Sequence, residues 1–244
     1  MKFKTKLAQA LMLLTASVAL AACAPMAAVT DDAGTEAQYA DEAVPAPADA
    51  LPLPTTPSTT KLEAEAVLKG YQHLDPSHVV PTTLLEKAVV YFDANKSRFS
   101  NQNYIAICDF KKSSATKRFF IINMKTGAVK TYYVAHGSGS DTNHDGFAEK
   151  FSNVSGSNMS SLGFYRTAET YSGKHGYSLR LDGLSTTNSK VRSRAIVIHG
   201  ADYVSNAARI QGRTNGCFGF AMSQRTEIID MIKTGALLYA AQSN

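Results

Sequence analysis

Cys217 and His199 are the two residues of this chain whose types and neighbours fit nucleophilic chemistry, and they stand eighteen positions apart. Gly216 precedes the cysteine and Gly219 follows two residues later. Glycine on both sides lets the chain turn tightly, leaving the thiol open and aiming backbone N–H groups at one point. A free thiol has a pKa of about 8.5 and needs a base to react well at neutral pH. His199 is the candidate base. In that role it takes the thiol proton and later returns it to a leaving group, while the N–H groups of Gly216 and Cys217 hold an oxyanion. Spacing alone leaves another reading open, a strand-end histidine and a structural cysteine that never meet. Arg213, Thr214 and Asn215 lie in the same turn. Arg213 is placed to grip a substrate carboxylate with its guanidinium fork, or to be an exposed loop arginine. His136 and His175, each followed by glycine, are candidates for the same cleft or for structural turns.

Other chemistries fit less well. Asp141-Thr142-Asn143-His144-Asp145-Gly146 matches the opening of a calcium loop, but the twelfth position is Ser152 where a glutamate is needed. An Asx-turn loop is the better reading. No zinc-type pairing of histidines or cysteines is present, no serine-hydrolase Gly-x-Ser-x-Gly occurs, and no cofactor motif is recognised. Cys108, in Tyr-Ile-Ala-Ile-Cys, reads as a small buried apolar residue. A disulfide between Cys108 and Cys217 is the alternative, and it would remove the nucleophile.

The elements that must position these residues are mostly strands. The β-branched run 195–198 reads as a buried strand that delivers His199 at its end. Further strands are expected at 104–109, 117–123, 129–135, 177–181 and 236–241, and a helix at 223–233. Before them, 61 to about 95 carries a helical pattern, with a capping box at Thr83–Glu86 and Leu85, Ala88, Val89 and Phe92 on one face. The expected fold is mainly β with a few helices, a sandwich or barrel preceded by a short helical segment.

The first 22 residues read as a signal peptide, with Lys2, Lys4 and Lys6 ahead of a short apolar run. Leu20-Ala21-Ala22-Cys23 resembles a bacterial lipobox, making Cys23 the lipid-bearing residue and giving the chain a membrane anchor. Ala24 after it favours the outer membrane over the inner by the same resemblance. Residues 23–60 form an Ala/Pro/Thr/Asp-rich tether with six acids and no Lys or Arg, a composition that cannot bury enough apolar surface to fold. Residues 61–100 are expected to brace a catalytic domain at 101–244. Of 25 Lys and Arg and 20 Asp and Glu, 22 and 14 fall within 61–244, so that body carries +8. A basic body suits a polyanionic neighbour; the signal and the lack of a dense Lys/Arg stripe argue against nucleic acid.

His199-Gly200, then Thr214-Asn215-Gly216-Cys217-Phe218, resembles the active-site signature of the YkuD-type L,D-transpeptidases. Longer blocks carry the same resemblance: Val134-Ala135-His136-Gly137, Ser160-Ser161-Leu162-Gly163-Phe164-Tyr165, Gly173-Lys174-His175-Gly176-Tyr177 and Ile198-His199-Gly200-Ala201-Asp202-Tyr203-Val204. The resemblance implies a YkuD-like β fold in the periplasm. It also implies a thioester on Cys217 formed from a peptidoglycan tetrapeptide stem, and a backbone carbonyl, here that of Gly200, orienting the histidine. Transfer to an amine gives a 3→3 cross-link and transfer to water an L,D-carboxypeptidase. Two departures stand out, Asn215 where the family has histidine and Gly219 where it has Arg or Asn, and they keep open an inactive peptidoglycan-binding lipoprotein.

Overall fold

Strand β1 (Tyr104–Asp109) shows how the body is built. Successive side chains of a strand point to opposite faces, and here both faces are apolar and covered. Ala106 and Cys108 enter one core, while Ile105 and Ile107 enter a second. The computed structural model describes residues 60–244; the signal peptide, Cys23 and the tether up to residue 59 lie outside the described residues.

The remaining strands are β2 (Phe119–Asn123), β3 (Val129–Tyr132), β4 (Gly163–Gly173), β5 (Gly176–Gly183), β6 (Val197–Ala201), β7 (Phe218–Ala221) and β8 (Leu237–Ala241). They form one sheet in the order β3-β2-β1-β8-β4-β5-β6-β7. The β1–β8 and β6–β7 pairs are parallel and the others antiparallel. Three residues past β3, Ala135 pairs with Gly219 of the far edge strand. That bridge curls the sheet into a near-barrel. Its larger core is lined by Phe119, Tyr165, Leu181, Ile198, Phe218 and Phe220, among others.

Three helices complete the described residues. α1 (Lys61–Lys69) opens with a capping box: Thr60 Oγ1 accepts from the Glu63 N–H at 3.3 Å, and the Glu63 carboxylate accepts from the Thr60 N–H at 2.8 Å. α2 (Thr82–Ala94) follows Pro81 and has no side-chain cap. Its expected box at Thr83–Glu86 is absent, because Thr83 already lies inside the first turn and has no N-cap geometry to offer. α2 buries Leu84, Ala88, Val89, Tyr91 and Phe92 against Ile105, Ile107, Phe120 and Leu237 of the sheet, with Leu85 half-buried. Each such side chain contributes about 1.5–3 kcal/mol of burial, so Phe92→Ala should cost about 3–5 kcal/mol. α3 (Arg225–Ile232) inserts Ile228, Ile229 and Ile232 into the larger core.

The expected fold class is observed. The structure also contains two strands beyond those expected, β4 and β7. β4 is 11 residues long but reads Gly-Phe-Tyr-Arg-Thr-Ala-Glu-Thr-Tyr-Ser-Gly, with a register shift between Thr167 and Thr170 that breaks the alternation. β7 is only Phe-Gly-Phe-Ala, too short to carry a period.

Candidate active site

β6 and β7 run side by side in parallel, with Ile198 opposite Phe218 and His199 opposite Gly219. Cys217 immediately precedes β7. His199 and Gly219 therefore share a face of the ladder, while Cys217, just outside the strand, packs against the larger core. The His199 ring is 1% exposed, and its Nδ1 lies 3.0 Å from the Gly200 carbonyl. A carbonyl only accepts, so Nδ1 carries the hydrogen and Nε2 keeps the basic lone pair. The half-buried Cys217 thiol donates to the Ala195 carbonyl at 3.6 Å. Ala195 itself has φ +54°, a left-handed conformation costing a non-glycine residue on the order of 1 kcal/mol.

The turn before Cys217 is organised by Thr214, which is fully buried. Its N–H donates to the His136 carbonyl at 2.8 Å, and its carbonyl accepts from the Ser138 N–H at 2.7 Å. Its hydroxyl donates to the Cys217 carbonyl at 2.9 Å and accepts the Gly216 N–H at 3.1 Å. The Gly216 N–H, expected as an oxyanion donor, is therefore engaged within the turn. Gly216 has φ +120°, and a Cβ there would stand 2.7 Å from the Met159 carbonyl oxygen and 2.8 Å from Ile196 Cδ1. No other residue fits.

A cation sits beside this turn that sequence reasoning did not single out. Arg194 Nη1 donates to the Ser152 carbonyl at 2.7 Å and to Ser161 Oγ at 2.8 Å, and Nη2 donates to the Met159 carbonyl at 2.6 Å. The same Nη2 lies 3.3 Å from where a Gly216 Cβ would stand. Burial lowers the guanidinium pKa, while Tyr165 and Cys217 act to raise it. These acceptors lie 33 to 42 residues away in sequence, so no local spacing could have revealed the cluster.

The other sequence-derived candidates fall at different places. His175, at the tip of the β4–β5 hairpin, has its ring centroid 4.3 Å from that of His199. His136 is 1% exposed, with Arg118 Nη2 at 2.5 Å from Nδ1 and Asp141 Oδ2 at 3.1 Å from Nε2. Arginine only donates, so Nδ1 accepts and the ring is neutral, its Nε2–H held by Asp141. Burial, with help from Arg118, pushes the His136 pKa down to about 2. Both ring nitrogens are thus engaged inside the protein, and its contribution to the turn is its backbone carbonyl. Arg213 Nη1 donates to the Asp141 carbonyl at 2.6 Å. The Asp141 carboxylate accepts the N–H groups of Asp145 and Gly146 at 3.1 and 3.0 Å, and Asp145 Oδ1 accepts the Phe147 N–H two residues on at 2.9 Å, an Asx turn. Cys108 is fully buried with its thiol pKa pushed up by desolvation. It and Cys217 are both free thiols, so no disulfide joins them.

A family model described as the L,D-transpeptidase catalytic domain matches residues 77–241 of this chain. The chain belongs to the L,D-transpeptidase family. The match takes in α2 as well as the sheet. No curated protein matches the chain. Among solved structures, an L,D-transpeptidase from Xylanimonas cellulosilytica is 12% identical over 58% of this chain and 62% of its own, with a TM-score of 0.35. Mycobacterium tuberculosis L,D-transpeptidase 1 is 12% identical over 57% and 61%, with a TM-score of 0.32. The helical cell shape determining protein Pgp2 of Campylobacter jejuni is 12% identical over 64% and 55%, at 0.39. The chain thus spans less than two thirds of each of these proteins.

Of the two departures from the usual L,D-transpeptidase turn, Asn215 lies half-buried between Thr214 and Gly216. Gly219 has a packing reason. A Cβ there would stand 3.1 Å from Thr214 Cγ2 and 3.4 Å from Ala135 Cβ, so a long side chain would displace the residue that organises the turn.

Proposed function

We propose that the protein is a peptidoglycan L,D-transpeptidase working through a thioester on Cys217. The observation that supports the reading is the β6–β7 pairing: it holds His199, its Nδ1 at 3.0 Å from the Gly200 carbonyl, opposite Gly219, two residues after the half-buried Cys217. His199 Nε2 takes the Cys217 proton, and the thiolate attacks the carbonyl of the bond between diaminopimelate and terminal D-Ala in a tetrapeptide stem. The Cys217 N–H is the oxyanion donor we favour, since that of Gly216 is already engaged. The proton on His199 passes to the leaving D-Ala amine, and an acceptor amine then resolves the thioester. Arg194 acts on the thiol by its charge and on the 152–161 loop by its hydrogen bonds. Thr214 positions the turn, while Asn215, Arg213 and His175 border the cleft.

In the same reading Cys23 carries lipid and residues 23–60 tether the basic body between the outer membrane and the murein layer in the periplasm. The lipobox-like residues and the +8 charge of 61–244 support it. The test is mass spectrometry of muropeptides from sacculi incubated with the protein or with Cys217→Ala. New 3→3 dimers with the unaltered protein alone are expected. Tripeptides with released D-Ala and no dimers would make water the acceptor, and no product from either would end the catalytic reading.

A further inference from the structure

Two consecutive serines, each 1% exposed, serve different partners beside the Cys217 turn. Ser161 Oγ accepts from Arg194 at 2.8 Å and donates to the Ser152 carbonyl at 2.7 Å. Ser160 reaches the turn itself. Its hydroxyl donates to the Gly216 carbonyl at 3.3 Å and accepts the Gly137 N–H at 3.0 Å. Its own N–H donates to Ser140 Oγ at 3.0 Å, and its carbonyl accepts the Ser152 N–H at 3.1 Å. The three backbones are in close contact, since a Cβ at Gly137 would stand 2.8 Å from the Ser160 nitrogen and 2.9 Å from Gly216 Cα. A hydroxyl has one hydrogen to give, and Ser160 gives it to the Gly216 carbonyl.

That carbonyl belongs to the same peptide unit as the Cys217 N–H. A trans peptide is planar, with its C=O and N–H pointing in opposite directions, so a group that holds the carbonyl also fixes the aim of the N–H. Thr214 holds the unit before, by the Gly216 N–H, and the unit after, by the Cys217 carbonyl. The unit between them is the one that Ser160 holds. We propose that Ser160 is a positioning residue: its hydroxyl pins the Gly216 carbonyl and so aims the Cys217 N–H at the oxyanion that forms on the carbonyl under attack. This rests on the thiol chemistry proposed for Cys217 and adds a residue to it. Ser160 acts through the peptide and not on the substrate. An oxyanion donor works by being set in direction before charge develops, and a carbonyl released from Ser160 lets that direction drift.

The test compares two reactions of one thiol in the full-length protein, both read by peptide mass at Cys217. With p-nitrophenyl acetate the thiolate adds to the carbonyl, an oxyanion forms, the C–S bond is made and p-nitrophenolate leaves. With iodoacetamide the thiolate displaces iodide from a saturated carbon, and no oxyanion arises. Ser160→Ala should slow acetylation by roughly tenfold to a hundredfold, below the loss of about 10²–10³-fold when an oxyanion donor is removed outright, and leave alkylation within about twofold. Ser140→Ala, which removes the acceptor of the Ser160 N–H, should show the same one-sided loss at roughly threefold, and it carries the test if Ser160→Ala does not fold. Thr167→Val is the matched control. Its buried hydroxyl also donates to one carbonyl, that of Ile232 at 2.6 Å, and accepts backbone N–H groups, those of Ala236 and Gly235, so its loss should leave the ratio of the two rates unchanged. Unaltered acetylation in the serine variants, equal losses in both reactions, the same split in Thr167→Val, or no acetylation of Cys217 at all would overturn the proposal. A protein that shows the Ser160 effect with the acetate ester but never reacts with a tetrapeptide would end the transpeptidase reading and keep the role of the serine.

Discussion

The molecule assembles cysteine, histidine and arginine twice, with opposite results. Cys108, His136 and Arg118 are all within the interior, each at most 1% exposed. Arg118 spends its N–H groups on the Val134 and Lys112 carbonyls and on His136. Desolvation pushes the Cys108 thiol up and the His136 ring down to about 2, so both groups are locked neutral. Cys217, His199 and Arg194 are the same residue types, with Cys217 packed at the edge of the core that holds Cys108. Here the thiol is half-open and the histidine's proton is fixed by a carbonyl rather than by a carboxylate and a cation. The two groups thus differ in exposure and in which atom each ring nitrogen faces, and not in their inventory of residues.

The sharpest way to break that contrast is to remove each thiol in turn. Cys217→Ala should lose acyl-enzyme formation by about 10⁴-fold or more, whereas Cys108→Ala should still acylate and lose only about 1–2 kcal/mol of stability. Intact-mass labelling with donor peptide, paired with urea melts, reads both; equal losses of labelling would erase the distinction. His199→Ala should lower the rate by about 10²–10⁴-fold and remove the limb of the pH–rate profile that reports its ionisation.

The inner histidine makes a stability prediction. His136 is neutral when folded and binds a proton below about 6.5 when unfolded. With its folded pKa depressed to about 2, its contribution is fully present above pH 6.5 and is lost as pH falls from there toward 2. The slope is at most about 1.4 kcal/mol per pH unit. Urea melts between pH 7 and 4 should show that decline, and His136→Gln should flatten it.

A smaller effect tests the outer arginine. Arg194→Gln should raise the pH midpoint of Cys217 alkylation by roughly one unit, or about 1.4 kcal/mol, and Arg194→Lys should recover part of it. An unmoved midpoint would leave Arg194 a loop anchor only. Smallest of all, Ala195→Gly should relieve the positive φ and stabilise the fold by about 0.5–1 kcal/mol, seen as a raised melting temperature.

Much of this was legible in the sequence where physics is local. β1 was read at its observed bounds because Tyr-Ile-Ala-Ile-Cys-Asp is covered on both faces. The turn at 214–217 was legible from its glycines. Even the interval between His199 and Cys217 has a reason in hindsight, since joining parallel neighbours takes a connection of about a dozen residues or more. What escaped depends on distant chain. Arg194 acts through loop 152–161, and β4 packs through partners in β5 and β8. The engaged Gly216 N–H follows from a hydroxyl rotamer at Thr214, which no spacing encodes.

The parallel ladder between β6 and β7 has a last consequence. Residues 202–217 connect the two strands, and Gln211 ties their outer part together: it accepts from the Ser205 N–H at 2.7 Å and donates to the Ala207 and Arg209 carbonyls at 3.0 and 2.7 Å, while its own N–H donates to Ser114 Oγ at 3.1 Å. The ladder fixes His199 opposite Gly219, while Thr214, within the connection, holds the turn at Cys217. Lengthening the exposed stretch 206–210 alone would cost little, about 0.6 kcal/mol for each doubling. Evolution can therefore rewrite that stretch without disturbing Thr214, Gly216 and Cys217 at the far end of the connection.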